Sequence, residues 1–477
     1  MQENQSFDAD LAELHAQALH ELARLAFEQG DRDPAEKLFR KAIELQTMVL
    51  SRRPKDTQAT ATLAIMKRDF STMLRRDFDV RKAQPYIMDS IELLKQLVLI
   101  EPKNERWKIE LEISNSVLAH VLRMLGEREQ ALTLITKSLS VNEDLSRSNP
   151  EDQRLRRARA VQLQLQGLLQ TELSRLPEAQ ETLIKAAALE RELASLFRKE
   201  ADLAQKYAAT LNTLGVIAAR SRQTDAAIKW FSEASQVLEK LVQDYPAKPE
   251  FQNDLANVRN SETAVLVSAK KLSEADQTAS RMWKLRREVA EKYPDVPEYA
   301  YATAVSCNIY GQLLLRRNKP EDSSPILQQG IEILQRLQEK FPGVAVHQQS
   351  LSNLQFSAAE AAMALDDLNA AETAYQAAIQ IRTEIKPPDA QIPPFPVFAI
   401  QCFNGIAAVR KKSGNLQGAR AALEDARQLI QRIPPAGDRS PAVLTLQQLL
   451  ELVPMLDPTE NTDDIRKQLE LLNGTQR

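Results

Sequence analysis

The residue types that most often carry out catalysis are scarce in this sequence. None of the four histidines has a cysteine or a carboxylate at the spacing of a metal site. They are His15, His20, His120 and His347. The two cysteines, Cys307 and Cys402, stand apart in helical patterns and are predicted to be buried free thiols. The short motifs of zinc proteases, phosphate-binding loops and serine hydrolases do not occur, so we expect no enzyme activity, no metal and no cofactor.

The elements that must position the remaining polar residues repeat every 48 residues. The stretch YPDVPEY (residues 293–299) has a close copy, YPAKPEF (residues 245–251). Proline occupies six of seven positions at this interval, and Arg198 takes its place once. The prolines are Pro54, Pro102, Pro150, Pro246, Pro294 and Pro342. Each follows one apolar helical run and precedes another, so these stretches are predicted to connect helical hairpins, with their aromatic residues packed against the helices.

Small residues recur in phase with the prolines. One series of nine is alanine except for one serine: Ala35, Ala83, Ala131, Ala179, Ala227, Ala275, Ser323, Ala371 and Ala419. A second series, twelve residues earlier, is small throughout: Ala23, Ser71, Ala119, Gly167, Gly215, Thr263, Gly311, Ala359 and Ala407. A mostly large apolar residue, such as Phe39 or Phe231, follows each member of the first series by four residues.

Such a pattern predicts close helix crossings. Two helices approach closely only where the side chains at the crossing are small and their neighbours fill the remaining space. Nine copies in register therefore predict nine hairpins of one design. Their turns are expected at Gly30, Gly126 and Gly414, and at polar residues in the other copies.

These positions resemble the tetratricopeptide repeat, which has a small residue in its first helix, two alanines in its second helix and a proline after it. Residues 211–234, LNTLGVIAARSRQTDAAIKWFSEA, carry Gly215, Ala227, Phe231 and Ala234 at the matching places. The resemblance implies an all-α fold. It would be an α-α superhelix, a right-handed solenoid of about nine helical hairpins plus a C-terminal capping helix. The first helix of each hairpin would line a concave groove.

The unit of 48 residues exceeds the usual length of about 34 residues. The surplus falls as seven residues in each helix, which is close to two turns and keeps the apolar side chains on one face. We therefore expect helices of about 18–20 residues, near 30 Å long. Such long units resemble the arrays appended to certain large bacterial Ser/Thr protein kinases, although no kinase signature occurs in this chain.

Asparagine recurs on the predicted groove face. It stands three residues before the small position in four of the last five copies. These residues are Asn212, Asn260, Asn308 and Asn404. Asparagine is unfavourable inside a helix, so its recurrence needs a reason. Two explanations stay open: the amides bond the backbone of a bound peptide, or they bond neighbouring repeats within the scaffold.

Basic residues outnumber acidic residues on the same predicted face. The basic residues are Arg24, Arg68, Arg75, Arg76, Arg123, Arg220, Arg316, Lys411 and Lys412, and the acidic residues are Glu28, Glu172 and Glu360. Nine minus three gives +6, in a chain whose net charge is −3. We predict that the groove binds an acidic or carboxylate-ended segment, with Arg75, Arg76 and Arg123 as its main ion-pairing residues. The alternative is an ordinary solvated face.

Composition narrows the class of protein. The 477 residues are 43% hydrophobic and 27% charged, which is typical of a folded chain. No signal-peptide pattern, membrane-length apolar run or disulfide framework occurs, so we expect a cytoplasmic protein with no membrane partner. Near-neutral charge and 5% aromatic residues argue against nucleic acid. The expected plan is a mobile segment at residues 1–10, nine units at 11–435 and capping helices at 436–477.

The repeats and the lack of a catalytic motif predict a non-enzymatic scaffold or adaptor. It would bind a partner protein or a peptide segment, acidic in character, in its concave groove. An alternative is a ligand-gated peptide sensor or regulatory subunit of a bacterial signalling enzyme. Self-association is compatible with the same pattern.

Overall fold

The computed structural model describes residues 8–76, 79–385, 395–433 and 438–474. Over these residues the chain is all-α and contains no strand, as the sequence predicts. The first helices of nine hairpins are α1 (Ala9–Gln29), α3 (Thr57–Arg76), α5 (Glu105–Met124), α7 (Gln153–Glu172), α9 (Ala201–Arg220), α11 (Pro249–Ser268), α13 (Pro297–Arg316), α15 (Ala345–Ala364) and α17 (Phe395–Lys412). The second helices are α2 (Arg32–Arg52), α4 (Val80–Ile100), α6 (Arg128–Ser148), α8 (Leu176–Leu196), α10 (Thr224–Asp244), α12 (Leu272–Lys292), α14 (Pro320–Lys340), α16 (Leu368–Glu384) and α18 (Leu416–Leu429).

The helices from α1 to α15 have 20 or 21 residues, slightly more than the 18–20 expected. The helices are longer because the connections between them are short. Only residues 30–31 separate α1 from α2, and only residues 53–56 separate α2 from α3, so most of each unit is helical.

Two further helices follow the ninth hairpin, after a short 3₁₀ turn at Ile430–Arg432. They are α19 (Ser440–Leu456) and α20 (Asp463–Gly474). Leu446 and Leu449 of α19 are buried in a cluster with residues of α17 and α18, so α19 covers the last hairpin as a cap should.

The predicted mobile segment, residues 1–10, falls mainly on residues 1–7, which lie outside the described residues. Asp8 is the N-cap of α1, because its Oδ1 accepts a hydrogen bond from the backbone N–H of Asp10 at 3.0 Å. Residues 436–437 and 475–477 of the predicted capping region are also outside the described residues.

The chain forms two compact units, residues 1–237 (unit 1) and residues 238–477 (unit 2). Within unit 1 the first helices α1, α3, α5, α7 and α9 contact one another in succession. Within unit 2 the same is true of α13, α15 and α17. Each unit is therefore a stack of hairpins in which the first helices share one face. The right-handed superhelix stays a prediction.

The α7–α8 and α9–α10 hairpins close where a small residue faces a large one. A Cβ atom placed on Gly215 of α9 would lie 2.5 Å from the ring of Phe231 of α10. A Cβ atom on Gly167 of α7 would lie 2.4 Å from the side chain of Leu183 of α8. All nine residues of the alanine series that begins at Ala35 are buried. The crossing predicted from the register is therefore present, and it pairs the small position with the large position of the same hairpin.

The hairpin turns repeat one backbone conformation with and without glycine. Gly126 and Gly414 have φ of +88° and +81° at the turn. Five equivalent positions hold other residues with φ between +56° and +67°: Ser174, Arg222, Lys270, Asn318 and Asp366. A left-handed conformation costs an L residue about 1–2 kcal/mol, so the packing of the two helices imposes these turns.

The connectors between hairpins also repeat. Arg53 precedes a proline and has φ −126° and ψ 61°, while Phe197 precedes Arg198 and adopts φ −113° and ψ 55°. The connector therefore keeps its form where proline is missing. The rings of Tyr293 and Tyr299 meet edge to face at 6.1 Å across their connector, which is the packing predicted for these aromatics.

We predict that Gly215→Ala destabilises unit 1 by about 1–3 kcal/mol, because the new Cβ overlaps the ring of Phe231. Combining it with Phe231→Ile should cost less than the sum of the two single changes, since the smaller side chain makes room. Denaturant melts of the three variants measure this coupling. Strict additivity would show that the two positions do not pack against each other.

We predict that Lys270→Gly raises the stability of unit 2 by about 1 kcal/mol, because glycine adopts the left-handed conformation without strain. Ala269→Gly is the matched control, since Ala269 has an ordinary helical φ of −78° and glycine there gains nothing. The midpoint of chemical unfolding compares the two. An equal loss of stability in both variants would contradict the role assigned to the turn.

Candidate functional site: a basic cleft in unit 1

A cleft of about 490 Å³ opens on the face formed by α3, α5, α7 and α9 of unit 1. Its lining, called the basic cleft from here on, consists of Arg75, Arg76, Ile113, Ser116, Val117, His120, Arg154, Arg157, Ala158, Val161, Gln164 and Lys206. The aliphatic residues come from α5 and α7, and cationic residues surround them. None of these described lining residues is acidic. Such a surface suits a ligand with negative charges and some apolar groups.

Arg75 is a partly buried cation of the basic cleft. Its Nε atom is buried and has no hydrogen-bond partner among the described residues. Burial is the main cause that lowers the pKa of Arg75 to about 10, and the positive charges of Arg76 and Arg123 contribute. The guanidinium stays charged at neutral pH, and no carboxylate of the described residues forms an ion pair with it. An anion bound beside it would relieve both the desolvation and the repulsion.

The pKa of His120 is lowered in part by the same cluster of positive charges. Burial is the main cause that lowers its pKa to about 3, and the charges of Arg75, Arg123 and Lys206 contribute. Its Nδ1 is buried without a hydrogen-bond partner in the described part of the chain. At neutral pH the imidazole is therefore uncharged, and it adds a polar group to the wall of the basic cleft.

Two of the cleft cations already have partners. Arg157 donates to both carboxylate oxygens of Glu200, at 2.6 Å and 2.8 Å. Arg154 is paired with Asp152 at 2.8 Å. Lys206 has no ion pair within the described residues. Among the described residues, positive charge without an ion pair is therefore concentrated on Arg75 and Arg76 at one side of the cleft and on Lys206 at the other.

A buried carboxyl behind the cleft does little to offset this charge. Glu190 of α8 is 3% exposed, and burial raises its pKa to about 8. At pH 7 the group is therefore mainly protonated and neutral.

Five of the nine basic residues predicted for the groove are held by acidic residues. The pairs are Arg24–Glu21 (3.2 Å), Arg68–Glu110 (2.6 Å), Arg123–Glu172 (2.8 Å), Lys411–Glu451 (3.7 Å) and Lys412–Asp366 (2.5 Å). The charge count from the sequence is therefore too high, because it omitted acidic residues on neighbouring turns and helices. Arg220 and Arg316 are exposed and have no ion pair among the described residues.

The structure brings Arg75 and Arg76 together in the basic cleft, and Arg123 lies close enough to Arg75 to act on its pKa. Arg123 itself is engaged by Glu172. Arg68 pairs with Glu110, and the two side chains are only 13% and 12% exposed, so its role in ligand binding stays a prediction.

Two of the four predicted asparagines form hydrogen bonds within the protein, and the other two are half-buried. Asn404 is wrong as a groove residue: it is 6% exposed beneath α19, where it donates to the carbonyl of Pro441 at 3.0 Å and accepts from Thr445 at 2.8 Å. Asn308 accepts a hydrogen bond at 2.8 Å from Ser357 of the next first helix. These two residues follow the inter-repeat explanation. Asn212 and Asn260 are half-buried, and the Oδ1 of Asn212 lacks a partner in the described part.

Sequence reasoning missed Arg154, Arg157 and Lys206 as members of the site. The search kept to positions near the small residue, which is where shorter repeats have their groove. These three residues lie in the first two turns of α7 and α9, in the part of the helix that the longer unit adds. A search at nine to thirteen residues before the small position would have found them.

A second cleft in unit 1 fits an anionic ligand less well. A cleft of about 530 Å³ between α1, α2 and α3 mixes Arg24 and Arg68 with Glu21, Glu28 and Asp69. No group of His, Cys, Asp and Glu side chains in the described residues could hold a metal ion. Among the same residues, no helix combines the length and the apolar character needed to cross a bilayer.

Comparison with solved structures returns helical proteins at low identity. The apo form of RapI is matched over 83% of this chain and 99% of its own, at 11% identity and a TM-score of 0.49. A STAND protein with a tetratricopeptide repeat sensor, PH0952 from Pyrococcus horikoshii, is matched over 82% of this chain and 52% of its own, at 13% identity and a TM-score of 0.48. BtubC (BKLC) from P. vanneervenii is matched over 53% of this chain and 90% of its own, at 15% identity and a TM-score of 0.41. None of the curated proteins matches the sequence.

A family model gives the more specific result. The tetratricopeptide repeat model matches residues 15–54, which span most of α1, all of α2 and the first connector residues. The resemblance predicted from the register is thus confirmed, since a tetratricopeptide repeat model matches the first hairpin, whereas the resemblance of the 48-residue unit to arrays of bacterial kinases stays a prediction.

Proposed function

We propose that this protein is a non-enzymatic interaction scaffold that holds an acidic segment of a partner protein in the basic cleft. A tetratricopeptide repeat at residues 15–54 supports a protein-binding role, because stacked helical repeats present extended surfaces for partners. The observation that carries the proposal is Arg75, whose buried Nε has no hydrogen-bond partner in the described part of the chain and which lies near Arg76 and Arg123. A carboxylate is the natural counterpart of a guanidinium.

The proposed ligand is a segment in which acidic and apolar residues are interspersed. Its carboxylates would pair with Arg75 and Arg76 on one side and with Lys206 on the other. Its apolar side chains would cover Val117 and Val161 of the floor. Charge would then set the association rate and the specificity, while burial of the floor would supply much of the affinity.

The adaptor role in a cytoplasmic bacterial signalling assembly stays a prediction. So does the alternative of a ligand-gated sensor.

We predict that Arg75→Glu combined with Arg76→Glu weakens binding of an acidic peptide by about tenfold or more at low ionic strength. The probe is a fluorescein-labelled peptide of glutamates with a leucine at every third position, and fluorescence anisotropy gives its Kd. Affinity for the wild type should fall as salt is added, since the attraction is screened.

The matched control is Arg81→Glu combined with Lys95→Glu. Both residues are exposed on α4, the second helix of the same hairpin, and the pair makes the same change in net charge. A peptide with lysine in place of glutamate controls for non-specific binding. Equal affinity of the acidic peptide for the wild type and the Arg75/Arg76 variant would rule out the basic cleft as the binding site.

We predict that His120 makes the stability of unit 1 depend on pH. Its pKa is about 3 in the folded chain and about 6.5 in an unfolded one, so the unfolded state takes up the proton first as pH falls. The contribution of His120 to stability is complete above about pH 6.5 and declines below it, by about 2 kcal/mol at pH 5, and the comparison with a variant that lacks only this imidazole separates it from the opposite contribution of Glu190. His120→Gln should lose less stability between pH 7 and pH 5 in urea melts. The same loss in both proteins would contradict the low pKa.

A further inference from the structure

Helix α1 exposes an apolar stripe. Leu11 and Leu14 are 66% and 65% exposed, and Leu22 and Leu25 are 53% and 52% exposed. Together with the exposed Ala18, these residues follow one line along the helix, at spacings of three and four, and are called the α1 stripe. Single exposed leucines are ordinary on protein surfaces, but a contiguous stripe indicates an interaction surface.

The later hairpins show what the α1 stripe is built to do. Met66, 48 residues after Ala18, is fully buried and packs with Ala42 of the preceding hairpin. Phe70, 48 residues after Leu22, is fully buried and stacks on Phe39 of the same preceding hairpin, with 5.5 Å between ring centroids. The positions of the α1 stripe are therefore the ones that join one hairpin to the hairpin before it. For α1 no earlier hairpin exists among the described residues.

We propose that a second copy of this chain covers the α1 stripe, with the two α1 helices antiparallel about a two-fold axis at Ala18. The stripe is symmetric about this residue: Leu11 and Leu25 lie seven positions from it, and Leu14 and Leu22 lie four positions from it. In the antiparallel pair, Leu11 faces Leu25 of the second copy and Leu14 faces Leu22 of the second copy. A two-fold interface requires such a self-complementary surface. The small side chain at the axis lets the helices approach closely.

The charges beside the stripe agree with this pairing. His15 and Glu21 lie three positions on either side of Ala18 and are both exposed. The antiparallel arrangement places His15 of each copy next to Glu21 of the other, so both contacts are favourable. Glu21 also forms an exposed pair with Arg24 at 3.2 Å, which contributes little energy and can be shared. Asp8 and Glu28 would face each other as like charges, but they lie beyond the ends of the stripe, where solvent screens them.

A head-to-tail contact is less favourable than the two-fold one. At the other end of the sequence, in unit 2, α19 packs on the ninth hairpin and its Leu446 and Leu449 are fully buried. The apolar surface that a following hairpin would use is thus occupied by the chain itself. The inference stands apart from the proposed function, because the lining of the basic cleft contains no residue of α1.

Dimerisation is tested with the full chain by sedimentation velocity over a concentration series. We expect a monomer–dimer equilibrium with a Kd of about 1–100 µM, as befits an interface of one helix from each copy. Leu14→Glu combined with Leu22→Glu should weaken the dimer by about a hundredfold, since two glutamates then face each other at both contacts. Leu99→Glu combined with Ile100→Glu is the control, because these side chains are 81% and 66% exposed but lie on α4, and its dimer should be unchanged.

A variant with opposite charges at positions 14 and 22 tests whether a second copy of the chain covers the α1 stripe. Leu14→Glu combined with Leu22→Lys should restore dimerisation, because the antiparallel pair sets each new glutamate opposite a new lysine. A parallel pair, or a different protein on the stripe, predicts no such rescue. Ala18→Cys should crosslink two chains on oxidation while Leu11→Cys alone should not, and the native thiols, Cys307 and Cys402, are buried and give little background.

The results that overturn the proposal are specific. A wild-type chain that stays monomeric to about 1 mM, where even a weak interface would associate, shows that another segment or protein covers the stripe. A dimer that tolerates Leu14→Glu with Leu22→Glu uses a different surface. If the variant with Leu14→Glu and Leu22→Lys is folded but does not dimerise, the antiparallel arrangement is rejected. The Arg75/Arg76 variant should dimerise like the wild type, which separates this inference from the function of the basic cleft.

Discussion

The fold depends on one repeated contact, in which a small residue of the first helix lets a large residue of the second helix come close. At Gly215 even a methyl group would overlap Phe231. Because this contact recurs every 48 residues, each hairpin has the same geometry, and successive first helices present the same face within a unit. The packing of the two helices in each of these hairpins holds non-glycine residues such as Lys270 and Asn318 in the left-handed conformation at the turn. Residues on the first helices can then converge although they are far apart in sequence.

The basic cleft arises from the length of the helices as much as from their packing. Arg75 and Arg76 come from the last turn of α3, whereas Arg154, Arg157 and Lys206 come from the first turns of α7 and α9. Helices of 20 residues let these ends surround an apolar floor provided by α5 and α7. Positive charge that has no ion pair among the described residues, beside an apolar floor, raises the free energy of the empty cleft, and an anionic ligand lowers it.

The sequence predicted the fold well and the site only in part. Helix number and hairpin register follow from local rules: periodicity, small residues, proline and turn residues. The site depends on which charges meet in space. Arg68 and Arg123 look like free cations in the sequence, but they have acidic partners 42 and 49 residues away. Asn404 looks like a groove residue until α19 covers it. Such pairings are long-range, so a count of charges along one helix face cannot anticipate them.

Site-directed photocrosslinking tests the binding claim most directly. A photoreactive phenylalanine derivative in place of Ala158 would sit on the floor of the basic cleft, and the same residue in place of Ile184, 44% exposed on α8, would sit on the second helix of the same hairpin. Our account predicts that the acidic, leucine-containing peptide is captured from position 158 and not from position 184, and that added salt abolishes capture. Equal capture from both positions, or capture from position 184 alone, would contradict it.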